Sequence, residues 1–111
     1  MFPMQGIKVV EIAQNLAGPF AGQILGLMGA DVLKIERPGT GDDARGWGPP
    51  FHGGLSTTFH SMNQGKQSVA LDMKDAAQLA WLKARIAEAD VLVQNMRPGS
   101  LEPFGLGAEA M

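Results

Sequence analysis

The stretch that decides the fold is residues 6–35, which read GIKVVEIAQNLAGPFAGQILGLMGADVLKI. Residues 6–12 are rich in β-branched side chains and predict a short strand, and residues 31–35 predict a second strand for the same reason. Between them Gly18-Pro19 begins a helix, because proline fits the first helical turn, and Gly29 is well placed to end it. These elements predict a βαβ unit whose parallel strands are joined by a right-handed crossover.

The predicted helix has two different faces. Large apolar side chains recur at helical spacing, at Phe20, Ile24, Leu27 and Met28. Small residues form another face and leave its backbone nearly bare, which permits close approach by a sheet or a ligand. These small residues are Ala17, Gly18, Ala21, Gly22 and Gly26.

The rest of the chain predicts a second unit of the same kind. Residues 37–64 are rich in glycine and proline and predict a long, mostly irregular loop that is functional or docks on another element. Residues 68–71 and 91–93 predict two further strands. Asp75 can cap the helix between them. Gln78, at the third helical position, can bond back to Asp75, which is a variant of the capping box. This order predicts an α/β fold, a Rossmann-like parallel sheet with flanking helices.

The end of the chain predicts little regular structure. The apolar stripe of the second helix is Leu79, Leu82 and Ile86. Residues 95–107 predict a loop with one helical turn near residues 100–103. Residues 107–111 resemble the first turn of a further helix.

Composition limits the classes of function. The 111 residues form one domain, with 45% hydrophobic and 18% charged residues and a net charge of −2. No bulk basicity points to nucleic acid or to an anionic membrane. The absence of cysteine excludes disulfides and a thiol nucleophile, and it fits a cytoplasmic protein. His52 and His60 lack ligand spacing, so no metal is expected.

Polar residues follow several predicted strands, where ligands bind in such folds. Residues 14–18 precede a helix start that favours phosphate or carboxylate, although a turn that needs only small residues fits equally well. Arg37-Pro38-Gly39 and Arg97-Pro98-Gly99 each follow a strand. The two arginines are either solvated charges or residues at the ends of neighbouring strands that together line one crevice for an anionic ligand. Lys66, after the tight turn at Gly65, either reaches a phosphate or is solvated.

One tempting motif is rejected. Residues 39–44, GTGDDA, match the dinucleotide pattern G-x-G-x-x-A. No apolar helix follows them, and the carboxylates of Asp42 and Asp43 would repel a pyrophosphate. These two acids are interpreted as a solvated pair or a helix cap.

Taken together, the motifs of residues 5–107 resemble the N-terminal part of the family III CoA-transferases, the group that includes formyl-CoA and carnitine CoA-transferases. The order and spacing of the matching stretches are more specific than any one of them. They are residues 16–20 (LAGPF), 27–38 (LMGADVLKIERP), 41–51 (GDDARGWGPPF), 63–68 (NQGKQS), 71–74 (LDMK), 88–95 (EADVLVQN) and 97–99 (RPG).

The resemblance implies a function. Members move CoA from an acyl-CoA to a carboxylic acid, through an aspartyl anhydride and an aspartyl-CoA thioester. Their N-terminal half binds the CoA nucleotide, and their subunits form interlocked homodimers. The family's catalytic aspartate lies beyond residue 111. Residues 1–111 are therefore expected to be a truncated CoA-binding domain that cannot transfer CoA alone.

The resemblance also implies a CoA site, residue by residue. Arg37 matches an arginine that packs on the adenine region, and the chain departs from the family at Leu16, a glutamine in formyl-CoA transferase. Formyl and oxalyl substrates are therefore less expected. Gln64 and Gln67 replace arginines of many members and weaken phosphate contacts. The candidate CoA-binding residues are Asn15, Leu16, Arg37, Leu71, Lys74, Asn95, Met96 and Arg97.

Two alternatives remain open. The related α-methylacyl-CoA racemases share Gly-Pro-Phe and Arg-Pro-Gly, but they generally have a shorter stretch between these motifs, so residues 41–51 favour a transferase. The second alternative is a non-catalytic module for nucleotide binding or dimerisation. A nicotinamide-dependent reductase is disfavoured, because no glycine fingerprint follows the first strand.

Overall fold

A computed structural model describes residues 2–47, 51–52 and 55–107. Short 3-10 helices lie at Asp43–Gly46 and Glu102–Phe104. In chain order the other elements are β1 (Lys8–Ile12), α1 (Ala17–Leu27), β2 (Asp31–Glu36), β3 (Phe51–His52), β4 (Leu55–Ser56), α2 (Thr57–Met62), β5 (Gln67–Ala70), α3 (Ala76–Glu88) and β6 (Val91–Gln94).

The main sheet has four parallel strands in the order β5-β2-β1-β6. β1 lies in the middle, with Val10 beside Leu33 of β2 and beside Leu92 of β6. The predicted strands are all present, with ends that shift by no more than two residues. This strand order is that of a Rossmann-like half-fold, so the predicted fold class is confirmed.

One face of this sheet packs the apolar core. Val10 and Ile12 of β1 and Ile35 of β2 form a buried cluster with Leu82 of α3 and with Leu71, the residue after β5. Leu79 and Ile86 pack against the same cluster from α3. The stripe predicted for this helix therefore faces the sheet, as expected for a helix that covers an apolar surface.

The opposite face of the sheet is covered by α1. This helix turns its glycine face, rather than its large apolar side chains, toward the strands. Gly18 and Gly22 are buried, whereas Phe20, Ile24 and Leu27 are 49%, 40% and 63% exposed. Successive side chains of a strand alternate between faces, so this face receives Glu11 of β1 and Lys34 and Glu36 of β2. The glycines let α1 approach these charges closely, and the predicted close approach by a sheet is confirmed.

The long loop is more ordered than predicted. It contains a 3-10 helix, the antiparallel pair β3 and β4, and α2. β4 and α2 form in residues 55–62, which contain none of the glycines and prolines that interrupt regular structure around them. Gly65 has the expected positive φ, 77°. Asp75 accepts a hydrogen bond from the Gln78 N–H at 3.0 Å, as predicted. Gln78 does not reciprocate, because its side-chain oxygen accepts from the Asp72 N–H instead.

Some predictions fall outside the described part of the chain. They are the helical turn at residues 107–111 beyond residue 107, and the side chains of His52 and His60. Within the described residues, no helix has both the length and the apolar character needed to cross a bilayer.

Candidate active site

The carboxyl ends of the four parallel strands surround a small crevice. Its volume is about 40 Å³, and it lies where β1, β2, β5 and β6 give way to their following loops. Three of the candidate CoA-binding residues line it together: Arg37, Leu71 and Met96. The other residues around it are Ile12, Ala13, Gln14, Ile35, Glu36 and Met73.

Asn95 fixes one wall of this crevice. Its side-chain oxygen accepts from the Gln14 N–H at 3.0 Å, and its amide nitrogen donates to the Gln14 carbonyl at 2.7 Å. The amide side chain thus pairs with the backbone of Gln14 as a neighbouring strand would. Asn95 therefore ties the loop after β6 to the turn after β1, which borders the same crevice.

Asn15 and Leu16 form the rest of that turn. Among the described residues other than glycine, Asn15 alone has a positive φ, 70°. Its N–H donates to Asp42 Oδ1 at 2.9 Å. Leu16 is 48% exposed and precedes the first turn of α1. The turn therefore presents the exposed apolar side chain of Leu16 next to the Asn15 backbone, which is hydrogen-bonded to the buried Asp42.

Arg37 lies at the edge of the crevice and is largely exposed. Its guanidinium donates to the Gly41 carbonyl at 3.2 Å and pairs with Asp43. The partner carboxylate is itself more than half exposed, so water screens this ion pair and it is weak. An anionic ligand can therefore compete for the guanidinium.

The structure does not bring the remaining two candidates to the crevice. β1 lies between β2 and β6, so the prediction that Arg37 and Arg97 follow neighbouring strands is wrong. Arg97 lines a different depression with Leu101 and Leu106. Lys74 is exposed on the turn before α3, where its N–H donates to Asp72.

Beneath the turn lies a buried quartet of charges: Glu11, Lys34, Asp42 and Lys66. Lys34 Nζ lies 2.8 Å from Glu11 Oε2 and 2.9 Å from Asp42 Oδ2, and Lys66 Nζ lies 2.5 Å from Glu11 Oε1. All four side chains are no more than 2% exposed. Two carboxylates and two ammonium groups balance, as burial of charge requires.

Backbone oxygens complete the quartet. Lys34 donates to the Ala13 carbonyl at 3.0 Å, and Lys66 donates to the Pro19 carbonyl at 2.8 Å. Burial lowers the pKa of the Lys66 ammonium, and the hydrogen bond to Glu11 opposes this effect. The quartet therefore joins β1, β2, the long loop and both ends of the turn that leads into α1.

The quartet corrects two sequence-based interpretations. Lys66 neither reaches a phosphate nor is solvated, because its buried ammonium group binds Glu11, the Pro19 carbonyl and the Asn63 side chain. Asp42 caps the following 3-10 helix as predicted, through the Ala44 N–H, but it is 1% exposed rather than solvated. The sequence does contain a signal for a buried ion pair, because Glu11 and Lys34 each lie among apolar residues of a predicted strand. The structure places them side by side in the parallel register.

Glu36 forms a second cluster beside the quartet. Its carboxylate accepts two hydrogen bonds from Arg45, at 2.7 and 2.6 Å, one from the Asp42 N–H at 2.8 Å and one from Ser68. Burial alone would raise the pKa of Glu36. These hydrogen bonds and the charge of Arg45 outweigh burial and hold the pKa at about 2.

This pKa predicts a dependence of stability on pH. Because the folded value of about 2 lies below the ordinary 4.5, ionised Glu36 stabilises the fold fully above about pH 4.5. The contribution, about 3 kcal/mol, is lost as the pH falls from there to about 2. We expect Glu36→Gln to be less stable than the parent at pH 6, and the gap in unfolding free energy to narrow by about 2 kcal/mol at pH 3.

Urea unfolding at the two pH values measures this gap. The exposed Glu88, which pairs loosely with Arg85, provides the control. Glu88→Gln is expected to stay within about 0.5 kcal/mol of the parent at both pH values. A gap for Glu36→Gln that is the same at pH 6 and pH 3 would contradict the assignment.

The chain is similar to proteins of known class. The family model described as CoA-transferase family III matches residues 4–111. Human succinyl-CoA:glutarate CoA-transferase is 48% identical over 107 residues, which are 96% of this chain and 24% of the human protein. Succinate–glutarate CoA-transferase of Agrobacterium fabrum is 43% identical, over 98% of this chain and 29% of that protein.

Solved structures agree with these sequence matches. A CAIB/BAIF family protein from Brucella suis superposes with a TM-score of 0.92 at 43% identity, covering 98% of this chain and 30% of that one. The chain thus spans between about a quarter and a third of the length of these relatives.

Proposed function

The chain belongs to CoA-transferase family III, and from that premise we propose that it holds coenzyme A in an enzyme that moves CoA between an acyl-CoA and a carboxylic acid. The observation that carries the proposal is the crevice at the carboxyl ends of the strands. Arg37, Leu71 and Met96 come from three separate segments and meet there. Parallel α/β sheets bind ligands at this edge.

The crevice, at about 40 Å³, is too small to enclose a nucleotide, so in this proposal the CoA nucleotide lies along its mouth, where the residues offer complementary chemistry. The Arg37 guanidinium offers a planar cation for a phosphate or for stacking on adenine. Leu71 and Met96 offer apolar surface beside it. The exposed Leu16 and the rigid Asn15 turn provide a second, less charged stretch of wall for the pantetheine arm. In this proposal Arg97 and Lys74 contact only the outer parts of the ligand.

We propose that the chemical steps are those implied by the family resemblance. An aspartate carboxylate attacks the thioester carbonyl, and the CoA thiolate leaves as a mixed anhydride forms. The thiolate then attacks the aspartyl carbonyl and releases the donor's carboxylate, which leaves an aspartyl-CoA thioester. The acceptor carboxylate reverses both steps. In the family resemblance this aspartate matches none of the acids of residues 1–111.

The proposed substrates are short dicarboxylic acids. Support comes from relatives whose names join succinyl-CoA to glutarate, to D-citramalate and to L-malate, at 48%, 37% and 41% identity respectively. A homodimer and a cytoplasmic location belong to the same proposal and rest on the family resemblance and on composition. A CoA-transfer assay from succinyl-CoA to glutarate, with a monocarboxylic acid as the comparison, tests the substrate class when it is run on an enzyme that contains both this chain and the attacking aspartate.

Calorimetric titration of CoA into the purified protein tests the site itself. We expect saturable binding, which Arg37→Ala weakens by about 10- to 100-fold, because a hydrogen bond to a charged group contributes about 1.5–3 kcal/mol. Arg85→Ala is the matched control, since Arg85 lies on α3 and lines a cavity at the amino ends of the strands. Equal losses in the two variants, or no loss in either, would refute the assignment of Arg37.

A further inference from the structure

Three consecutive residues of the turn between β1 and α1 are held by three side chains from different segments. Lys34 of β2 holds the Ala13 carbonyl, and Asn95 after β6 holds both backbone groups of Gln14. Asp42 of the long loop holds the Asn15 N–H. Ala13 and Gln14 themselves line the crevice, so the shape of this turn is the shape of one crevice wall.

The Asn15 position carries a conformational cost. A residue other than glycine in the left-handed region is strained, and the strain persists only where the surroundings determine the backbone. Asparagine tolerates this region better than most residues, but it does not prefer it. A buried partner that accepts from the Asn15 N–H is therefore required to keep the turn in this shape.

Asp42 is built to be that partner. Its Oδ1 accepts from the Asn15 and Ala44 N–H groups at 2.9 Å each, and its Oδ2 faces Lys34 Nζ at 2.9 Å. Its own N–H donates to Glu36 Oε1 at 2.8 Å. Two hydrogen bonds to Oδ1 and an ion pair at Oδ2 fix the orientation of this carboxylate, and its charge-assisted hydrogen bond to Asn15 transmits that orientation to the turn.

We propose that Asp42 is a positioning residue for the ligand crevice: it lies beneath the site and holds Asn15 in the left-handed conformation that shapes the crevice wall. It touches no ligand and acts only through the turn. The effect of this wall on CoA rests on the proposed function, whereas the hold on Asn15 does not.

The experiment must separate two roles of Asp42: the positioning of Asn15 and the balance of the buried charges. A variant of Lys66 allows this separation, because it changes only the charge balance. Lys66→Met removes one ammonium from the quartet but leaves the Asp42–Asn15 hydrogen bond in place. Asp42→Asn removes one carboxylate, and its amide cannot accept from Asn15 and satisfy Lys34 at once. The double variant has one carboxylate and one ammonium left, Glu11 and Lys34, so its buried charges balance again.

Two quantities are measured on the purified protein and on the three variants. The first is the hydrogen-exchange rate of the Asn15 amide, with the Val10 amide in the core as the reference. The second is the Kd for CoA. In both Asp42→Asn and the double variant we expect Asn15 exchange to accelerate about 10- to 100-fold relative to Val10, and CoA affinity to fall about 10-fold. In Lys66→Met we expect neither change, although its urea midpoint falls.

The outcomes decide the proposal in each case. Unchanged Asn15 exchange in the double variant, with a recovered urea midpoint, would show that Asp42 serves charge balance alone and would overturn the proposal. If the single Asp42→Asn variant does not fold, the comparison of the double variant with Lys66→Met decides in its place. If the parent protein does not bind CoA, the proposed function fails, and the exchange rates still decide whether Asp42 holds the turn.

Discussion

Replacing Lys34 by methionine is expected to remove about 3–5 kcal/mol from the free energy of unfolding. Methionine keeps the length and volume of the side chain, so the change tests the charge rather than the packing. Glu11 Oε2 and the Ala13 carbonyl each lose a hydrogen-bond donor within 3.0 Å, Asp42 Oδ2 loses its ion-pair partner, and the buried interior keeps one unbalanced negative charge. Removing one partner of a buried ion pair costs far more than the pair contributes when intact.

Urea unfolding followed by circular dichroism measures this loss. A domain of this size has a total stability of about 5–15 kcal/mol, so the variant loses a large share of it. Lys8→Met is the control, because Lys8 lies on β1 with an exposed side chain. That variant is expected to stay within about 0.5 kcal/mol of the parent. A Lys34→Met protein as stable as Lys8→Met would show that the quartet does not hold the fold together.

Gly22→Ala is expected to cost about 2–4 kcal/mol, while Gly26→Ala on the same helix costs nothing or stabilises. A Cβ at Gly22 would overlap Glu11 Oε1, which Lys66 holds in place, so the methyl group must break an ion pair or push α1 off the sheet. At Gly26 the nearest atom to a new Cβ is Val32 Cγ2, at an ordinary 3.5 Å. There the higher helix propensity of alanine contributes about 0.5–1 kcal/mol.

The pair forms its own control, because both changes add one methyl group to one helix. Thermal or urea unfolding of the two variants measures the difference. A Gly22→Ala protein as stable as the parent would contradict the close contact between α1 and Glu11. A loss at Gly26 as large as that at Gly22 would instead indicate that the whole glycine face is packed as tightly as Gly22.

The sequence predicts the sheet and its two long helices because their periodicities are local. Residues 8–12 and 31–36 carry the β-branched side chains typical of strands, and Leu79, Leu82 and Ile86 repeat at helical spacing, so no distant information is needed. α2 is missed because it has six residues and lies among glycines and prolines. The cap formed by Asp42 is predicted, but the burial of Asp42 and Lys66 is missed, because it depends on the path of the long loop, which no periodicity records.

The candidate site is predicted in part for the same reason. Arg37, Leu71 and Met96 meet because each follows a parallel strand, and the carboxyl ends of such strands share one edge. Whether Arg97 joins them depends on which strands are neighbours. The insertion of β1 between β2 and β6 is a property of the assembled sheet rather than of any local segment.

The quartet also sets an order of events when the chain folds. The bond between Lys34 and Glu11 spans 23 positions of sequence, whereas that between Lys66 and the Pro19 carbonyl spans 47. Longer loops cost more entropy to close, so we expect β1 and β2 to pair before Lys66 contacts Glu11 and the Pro19 carbonyl. Until then the assembling interior carries an excess carboxylate, which disfavours the docking of α1. We therefore expect the first helix in the chain to be among the last parts of the molecule to reach its native place.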